Sequence, residues 1–303
     1  MRLVVFISFV VLCLSFSVSI NARKLVPAMY VFGDSLVDVG NNNYLKFSIL
    51  KANFPHNGID FPGKKPTGRY SNGKNVADFL AEKVGLATSP PYLSLVSKGK
   101  AFPITGVSFA SGGAGIINTT NKDPDKLIIQ TIPLSKQVEY YSKVYQDLVR
   151  QLGSAKAQHH LSKSLFIFVI GSNDLLGYVE SGSDLPMKTT PQHYVDSMLM
   201  TLKQELKRMH GFGARKYVVI GAGPVGCAPK TRSESNDGDQ CNEEANQLAI
   251  KFNKGLKPML QGLGSELNGL VQYSFIDEYN VFSPIIQNPS TVGTSTYFLK
   301  KLS

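Results

Sequence analysis

The sequence is poor in cysteine, in charge and in any repeating pattern, and each shortage removes a class of protein. Three cysteines in 303 residues exclude a disulfide-dense miniprotein, whose core is too small to hold it without several bridges. Charged residues make up 18%, below the roughly 25% of average soluble chains. No repeat period, heptad stretch or low-complexity linker follows Arg23, which excludes collagen-like, coiled-coil and disordered chains. The 32 Lys and Arg outnumber the 22 Asp and Glu by ten, but they are scattered singly and in pairs. Without a basic run, nothing would track a phosphate backbone, and no nucleic-acid partner is expected.

What is present is a hydrophobic content of 43% with 27 Gly and 16 Pro, enough for a sizeable core joined by many turns. Arg2 precedes the apolar stretch Leu3 to Ile20, then Asn21 and the small residue Ala22. This order of positive, apolar and small residues predicts a secretory signal over residues 1–22; the alternative is a membrane anchor, because the stretch approaches spanning length. Cleavage after Ala22 would remove Cys13 and make the protein secreted and extracellular, with no stable membrane insertion. Cys227 and Cys241 are then expected to form a disulfide in an oxidising compartment. The sequon Asn118-Thr119-Thr120 predicts glycosylation at Asn118.

From residue 23 to 303 the pattern reads as a single domain. Short β-branched or aromatic runs, at Ala28–Phe32, Ile104–Phe109, Leu165–Ile170, Lys216–Ile220 and Val271–Ile276, alternate with longer segments of helical period. That alternation predicts an α/β fold with a mainly parallel sheet. Helix starts are legible at Thr190-Pro191 and at Asn242-Glu243-Glu244, where a capping residue precedes proline or two acids. Ligands of such sheets sit beyond the carboxyl ends of the strands, so the loops there carry the candidate chemistry.

The first loop, Gly33-Asp34-Ser35-Leu36, places a Ser just past a strand, where it can act as a nucleophile or merely cap a helix. The second, Ala110-Ser111-Gly112-Gly113-Ala114-Gly115, has glycines that let backbone N–H groups face an oxyanion or phosphate, or simply turn the chain. The third, Gly171-Ser172-Asn173-Asp174, offers an Asn amide for developing negative charge, or an Asx cap. The fourth, Gly221-Ala222-Gly223-Pro224-Val225-Gly226, fits Gly-x-Gly-x-x-Gly and raises a dinucleotide-binding turn as an alternative. Against it stand Pro224, which removes a donor, the interruption at Cys227-Ala228-Pro229, and the lack of a strand ending in an acid about 20 residues on.

Taken together, Phe32-Gly33-Asp34-Ser35-Leu36, the Gly106 to Gly115 segment and Gly171-Ser172-Asn173-Asp174 resemble, in order and spacing, the first three sequence blocks of the GDSL esterase/lipase family. Val37-Asp38-Val39-Gly40-Asn41-Asn42-Asn43 and Gly223-Pro224-Val225-Gly226-Cys227 resemble its large plant branch of secreted SGNH-type hydrolases. The resemblance runs from about Met29 to Gly293. It implies a three-layer α/β/α sandwich of the SGNH, flavodoxin-like kind, a small-molecule, lipid or polysaccharide ester as substrate, and neither metal nor organic cofactor. It further implies Ser35 as nucleophile, with the Gly112 N–H and the Asn173 amide joining the Ser35 N–H in the oxyanion hole. Gly113 is the neighbouring alternative to Gly112.

The resemblance also implies a His base near the C-terminus in an Asp-x-x-His-Pro stretch, and the sequence has none. His56, His159, His160, His193 and His210 follow Asn53, Lys156, Ala157, Thr190 and Lys207 at that spacing. The expectation is therefore a shortened family member, with Ser35 impaired for want of a proton acceptor. Its alternative function is noncatalytic binding of an acyl or acetyl group. Asp277 aligns with a structural position of the family rather than a base.

Overall fold

A computed structural model describes residues 24–121, 130–180, 183–233, 240–288 and 290. The segment read as a signal, 1–22, lies outside them. Four strands form one parallel sheet in the order β1-β2-β3-β4: β1 (Met29–Gly33), β2 (Leu165–Val169), β3 (Lys216–Ile220) and β4 (Gln272–Ile276). Ten α-helices accompany them among the described residues: α1 (Val76–Lys83), α2 (Tyr92–Ser97), α3 (Leu134–Leu152), α4 (Ser154–Lys163), α5 (Ser172–Val179), α6 (Leu185–Lys188), α7 (Pro191–Gly211), α8 (Pro229–Ser233), α9 (Glu243–Glu266) and α10 (Glu278–Gln287).

The register explains how the sheet is sandwiched. Successive strand residues face opposite sides, so Tyr30, Phe166, Tyr217 and Tyr273 lie in one row, with Phe32, Phe168, Val219 and Phe275 in the next. Phe32 stacks on Phe168 at 4.8 Å between ring centroids, and Tyr30 on Phe166 at 5.1 Å. This face packs against the apolar stripes of α3, α7 and α9, including Tyr141, Met198 and Phe252. On the other face, Met29, Val31, Ile167 and Val169 meet Val37 and Val39 and the Ala77 and Ala81 of α1. Helices thus lie on both sides of the sheet.

The helix starts follow their sequence signals. Thr190 accepts the N–H of His193 and Asn242 accepts that of Ala245, each satisfying a donor that has no intrahelical partner. Asn75 and Asp78 exchange bonds in a capping box at α1, and Asn75 Nδ2 donates to the Asp38 carbonyl at 2.9 Å. Helix α1 is thereby tied to the loop after β1.

One expected strand, Ile104–Phe109, is corrected. Only Ser108 makes bridges, to Val31 and Pro91, although the segment runs beside β1 through Met29 N–H to Thr105 O, Phe109 N–H to Val31 O and Ser111 N–H to Gly33 O. Gly106 breaks the extended run with φ of 117°, a conformation open to glycine. A Cβ there would stand 1.9 Å from the Met29 carbonyl oxygen. The segment still delivers the second glycine-rich loop to the carboxyl end of β1.

Candidate active site

The chain leaves β1 through a turn built around Asp34. Its N–H donates to Val169 O, its carboxylate accepts the Leu36 N–H at 3.0 Å, and Val37 and Asp38 donate back to its carbonyl. Gly33 makes the turn possible, since a Cβ on it would lie 2.3 Å from the Val169 oxygen. The buried Gln137 of α3 grips the same glycine, accepting its N–H at 2.9 Å and donating to its carbonyl at 2.8 Å. Ser35 is held half-buried on this turn.

Ser35, Asn173 and Glu278 line one cavity of about 420 Å³, together with Asp34 and the apolar Leu36, Leu176, Val225, Phe282 and Ile286. Asn173 stands in the first turn of α5, where unpaired N–H groups give the helix end a partial positive charge. Its Nδ2 donates to the Ala114 carbonyl at 3.0 Å, which fixes the amide and leaves its second hydrogen for a ligand. Gly171, at φ of 127°, makes the sharp entry from β2 into that helix.

Gly112 does not join them. It is buried outside the cavity lining, and its N–H donates to the Asp38 carboxylate at 3.1 Å. Asp38 also accepts the N–H groups of Gly40 and Asn41 at 2.7 Å each. The neighbouring Asn41 and Asn42 donate to the Ser108, Ala110 and Gly112 carbonyls, so this polar run clamps the glycine-rich loop onto the loop after β1. Asp174 holds the far end of that loop through the N–H groups of Ile116 and Ile117 and the Thr120 hydroxyl.

Burial makes the cavity acids unusual. Desolvation pushes the Asp34 carboxyl up to about 7; the Leu36 N–H opposes the shift, and the negative fields of Glu278 and Asp174 add to it. Burial likewise raises Glu278 to about 7. One oxygen of each, Asp34 Oδ2 and Glu278 Oε2, is buried with no hydrogen-bond partner among the described residues. Burial raises Asp38 to about 6 against its backbone donors.

All five histidines are described, and none lines this cavity. His56, His159 and His193 are exposed; His160 Nε2 lies 2.8 Å from the Ile104 carbonyl. Burial lowers the pKa of His160 and of His210. Asp277 caps α10, bonding Asn280 and the Asn253 amide.

The Gly221 to Gly226 loop is not a phosphate turn. Asn253 and Asn246 of α9 take the Ala222 and Gly226 N–H groups, and the chain enters a short 3₁₀ turn at Val225–Cys227. Cys227, on the cavity wall, is bonded through sulfur to Cys241. Asn118 is exposed and accepts from the Ser135 hydroxyl. Among the described residues no three His, Cys, Asp or Glu side chains group to hold a metal ion, and no helix is long and apolar enough to cross a membrane.

Sequence reasoning missed Asp38, Asn41, Asn42, Gln137 and Glu278. Asp38, Asn41 and Asn42 had a signal, three short polar side chains crowded behind a strand end. Glu278 had a fainter one, the second of two acids that follow β4.

Residues 29–293 match the family model described as GDSL-like Lipase/Acylhydrolase. Among similar proteins, GDSL esterase/lipase At5g55050 of Arabidopsis thaliana is 50% identical over 273 residues, covering 88% of this chain and 71% of that protein. GDSL esterase/lipase At4g16230 of the same plant is 37% identical over 300 residues, 97% of this chain and 79% of that protein. GDSL esterase/lipase At3g50400, also from Arabidopsis thaliana, is 37% identical over 288 residues, with coverage of 92% and 75%.

Proposed function

The chain belongs to the GDSL-like lipase/acylhydrolase family of carboxylic ester hydrolases, and from that premise we propose that it cleaves its ester through Ser35 in the cavity beyond β1 and β2. The carrying observation is that Ser35 and Asn173 line one cavity while coming from separate strand ends. The Ser35 oxygen attacks the ester carbonyl. The Asn173 amide and the Ser35 N–H receive the oxyanion, and each such donor contributes about 3 kcal/mol to the transition state. Gly112, with its N–H on Asp38, serves this reading as part of the clamp beneath the site.

Leu36, Leu176, Val225, Phe282 and Ile286 suit an apolar acyl or alcohol group, so the substrate is a small or lipid-like ester. Secretion is part of the same proposal. The order of Arg2, the apolar stretch and Ala22 supports it, as does a disulfide, which persists in oxidising compartments. The exposed Asn118 is then open to glycosylation.

A second reading, an acyl-binding site without turnover, is favoured by one observation: no histidine lines the cavity among the described residues. Hydrolysis of a short p-nitrophenyl ester by the purified protein and by Ser35→Ala separates the two. The hydrolase reading expects turnover that falls by about 10³-fold or more in the variant, with an unchanged melting temperature. Equal, background rates in two folded proteins would leave the binding reading.

A further inference from the structure

The turn that carries Ser35 begins where β1 runs out of backbone partners on its outer side. Alternate peptide groups of β1 point away from β2, toward the segment that runs beside the sheet edge: the Met29 and Val31 N–H groups donate there to the Thr105 and Val107 carbonyls. The next donor in that row is Gly33, two residues before Ser35, and its N–H goes to a side chain instead. Gln137 Oε1 of α3 accepts it at 2.9 Å. Gln137 Nε2 gives one hydrogen to the Gly33 carbonyl and the other to the Ile132 carbonyl, at 2.8 Å each. The amide thus takes the place of a strand residue, 104 positions along the chain from the glycine it holds.

The buried face of α3 is otherwise apolar or aromatic, with Leu134, Val138, Tyr141, Val144 and Leu148, and Gln137 lies among them with no exposed surface. A buried amide is tolerated only when its bonds are made, and all three of these run to backbone, two at Gly33 and one at Ile132. They close a circuit. The Ser111 N–H donates to the Gly33 carbonyl at 3.0 Å, the Ile132 N–H donates to the Ser111 hydroxyl at 3.1 Å, and Gln137 joins Ile132 back to Gly33. Every member is buried. From Ser111 the connection continues to the oxyanion donor: the Ala114 N–H donates to the Ser111 carbonyl, and the Ala114 carbonyl holds Asn173 Nδ2, both at 3.0 Å.

We propose that Gln137 is a positioning residue that sets the Ser35 turn against the Asn173 amide, and this rests on Ser35 being the nucleophile. Gln137 is not part of the cavity lining; it acts through Gly33 and, by way of Ile132, through Ser111. A closed set of buried hydrogen bonds favours one arrangement, because moving any member leaves another without a partner in a place water does not reach. The circuit fixes the end of β1, which leads to Ser35, and the glycine-rich loop, which holds Asn173, relative to each other. With the amide gone, the Gly33 N–H and the Ile132 carbonyl lose their partners and the turn is free to shift.

Such a shift leaves the apolar walls at Leu176, Val225 and Phe282 in place to bind an ester. It acts on the step in which nucleophile and oxyanion donor must meet one carbonyl group together, where a displacement of about 1 Å costs on the order of 10²-fold. The expected signature is an equal fall in kcat and kcat/KM with KM near its wild-type value, the mark of an interaction lost in the transition state alone. A glutamine that served stability only would lower the melting temperature and leave kcat of the folded protein as it was.

The test is kcat and KM for a p-nitrophenyl ester in the wild type, Ser35→Ala, Gln137→Met and Leu148→Ala, with melting temperatures for all four and rates taken well below them. Gln137→Met keeps the length of the side chain and removes all three bonds. Leu148 is buried on the same helix but makes none of them, so Leu148→Ala reports lost packing by itself. Gln137→Met is expected to lose about 10- to 10²-fold in kcat at an unchanged KM, while Leu148→Ala melts earlier and turns over at the wild-type kcat. A wild-type kcat in folded Gln137→Met overturns the role, and so does an equal fall in kcat in Leu148→Ala; in both cases loss of turnover in Ser35→Ala leaves the hydrolase reading standing. Should Gln137→Met fail to fold, Ser111→Ala opens the same circuit with a smaller loss, and a wild-type kcat in it overturns the role. Absence of any Ser35-dependent turnover in the wild type overturns both the role and the hydrolase reading.

Discussion

The two edges of the sheet are built to different standards. All five residues of β1 are buried, with cores on both faces. In β4, Gln272, Ser274 and Ile276 are exposed while Tyr273 and Phe275 are half-buried, and α10 has no buried residue. The cavity is lined by Ser35 from the loop after the first edge and by Glu278 from the helix after the second. A nucleophile must hold position to fractions of an ångström, and the layered edge supplies that for Ser35.

The largest effect that would sharpen this contrast is in the core. Phe32→Ala should cost about 3–5 kcal/mol, as large aromatic truncations in full cores do, whereas Phe275→Ala, at the same level of the sheet, should cost about half of that. Urea titrations of both variants measure the difference, and equal losses would break the comparison.

Next comes the bridge between Cys227 and Cys241, 14 residues apart. Replacing both by Ser should lower stability by about 3 kcal/mol, the loop-closure value for that span. The cavity wall at Val225 and Cys227 should loosen before β1 does. Calorimetry together with the KM of an ester substrate reads both changes, and a large fall in stability with an unaltered KM would separate the bridge from the cavity.

Hydrogen exchange should rank the edges without mutation. The β1 amides should open only with global unfolding, and those of β4 and α10 earlier, because few buried apolar contacts hold them. Uniform protection would contradict the contrast.

The smallest effect is in pH. Asp34 is raised from 3.8 to about 7 and Asp38 to about 6, so between pH 4 and 7 the folded state binds more protons than the unfolded one. Their contribution to stability is therefore full below pH 4 and is lost as pH rises through their folded values. Asp34→Asn should make the dependence on pH flatter in denaturant melts at pH 4.5 and 7.5. An unchanged slope would mean that Asp34 titrates as it does in the unfolded chain.

Strand positions, the helix starts at Thr190 and Asn242, and the ordered loops bearing Ser35 and Asn173 were legible in the sequence, because each depends on local periodicity and capping chemistry. The segment around Gly106 was misread as a regular strand because its apolar alternation is real, while the kink arises where its backbone passes β1. The Gly112 contact was not legible for a related reason: a glycine-rich run says that N–H groups are available, not which acceptor is nearest. Asp38, 74 residues away in the chain, decided that.

What the sequence determined by itself was the fold class, the family and the strand ends at which chemistry could occur. Those follow from patterns within about ten residues and from motif order. The tertiary structure alone decided which side chains share the cavity: Gly112 held to Asp38, every histidine outside the lining, and Glu278 brought over Gly223 to the cavity of Ser35. Such groupings join residues 74 positions apart in one case and more than 200 in another, through sheet order and helix packing, and no local periodicity encodes them.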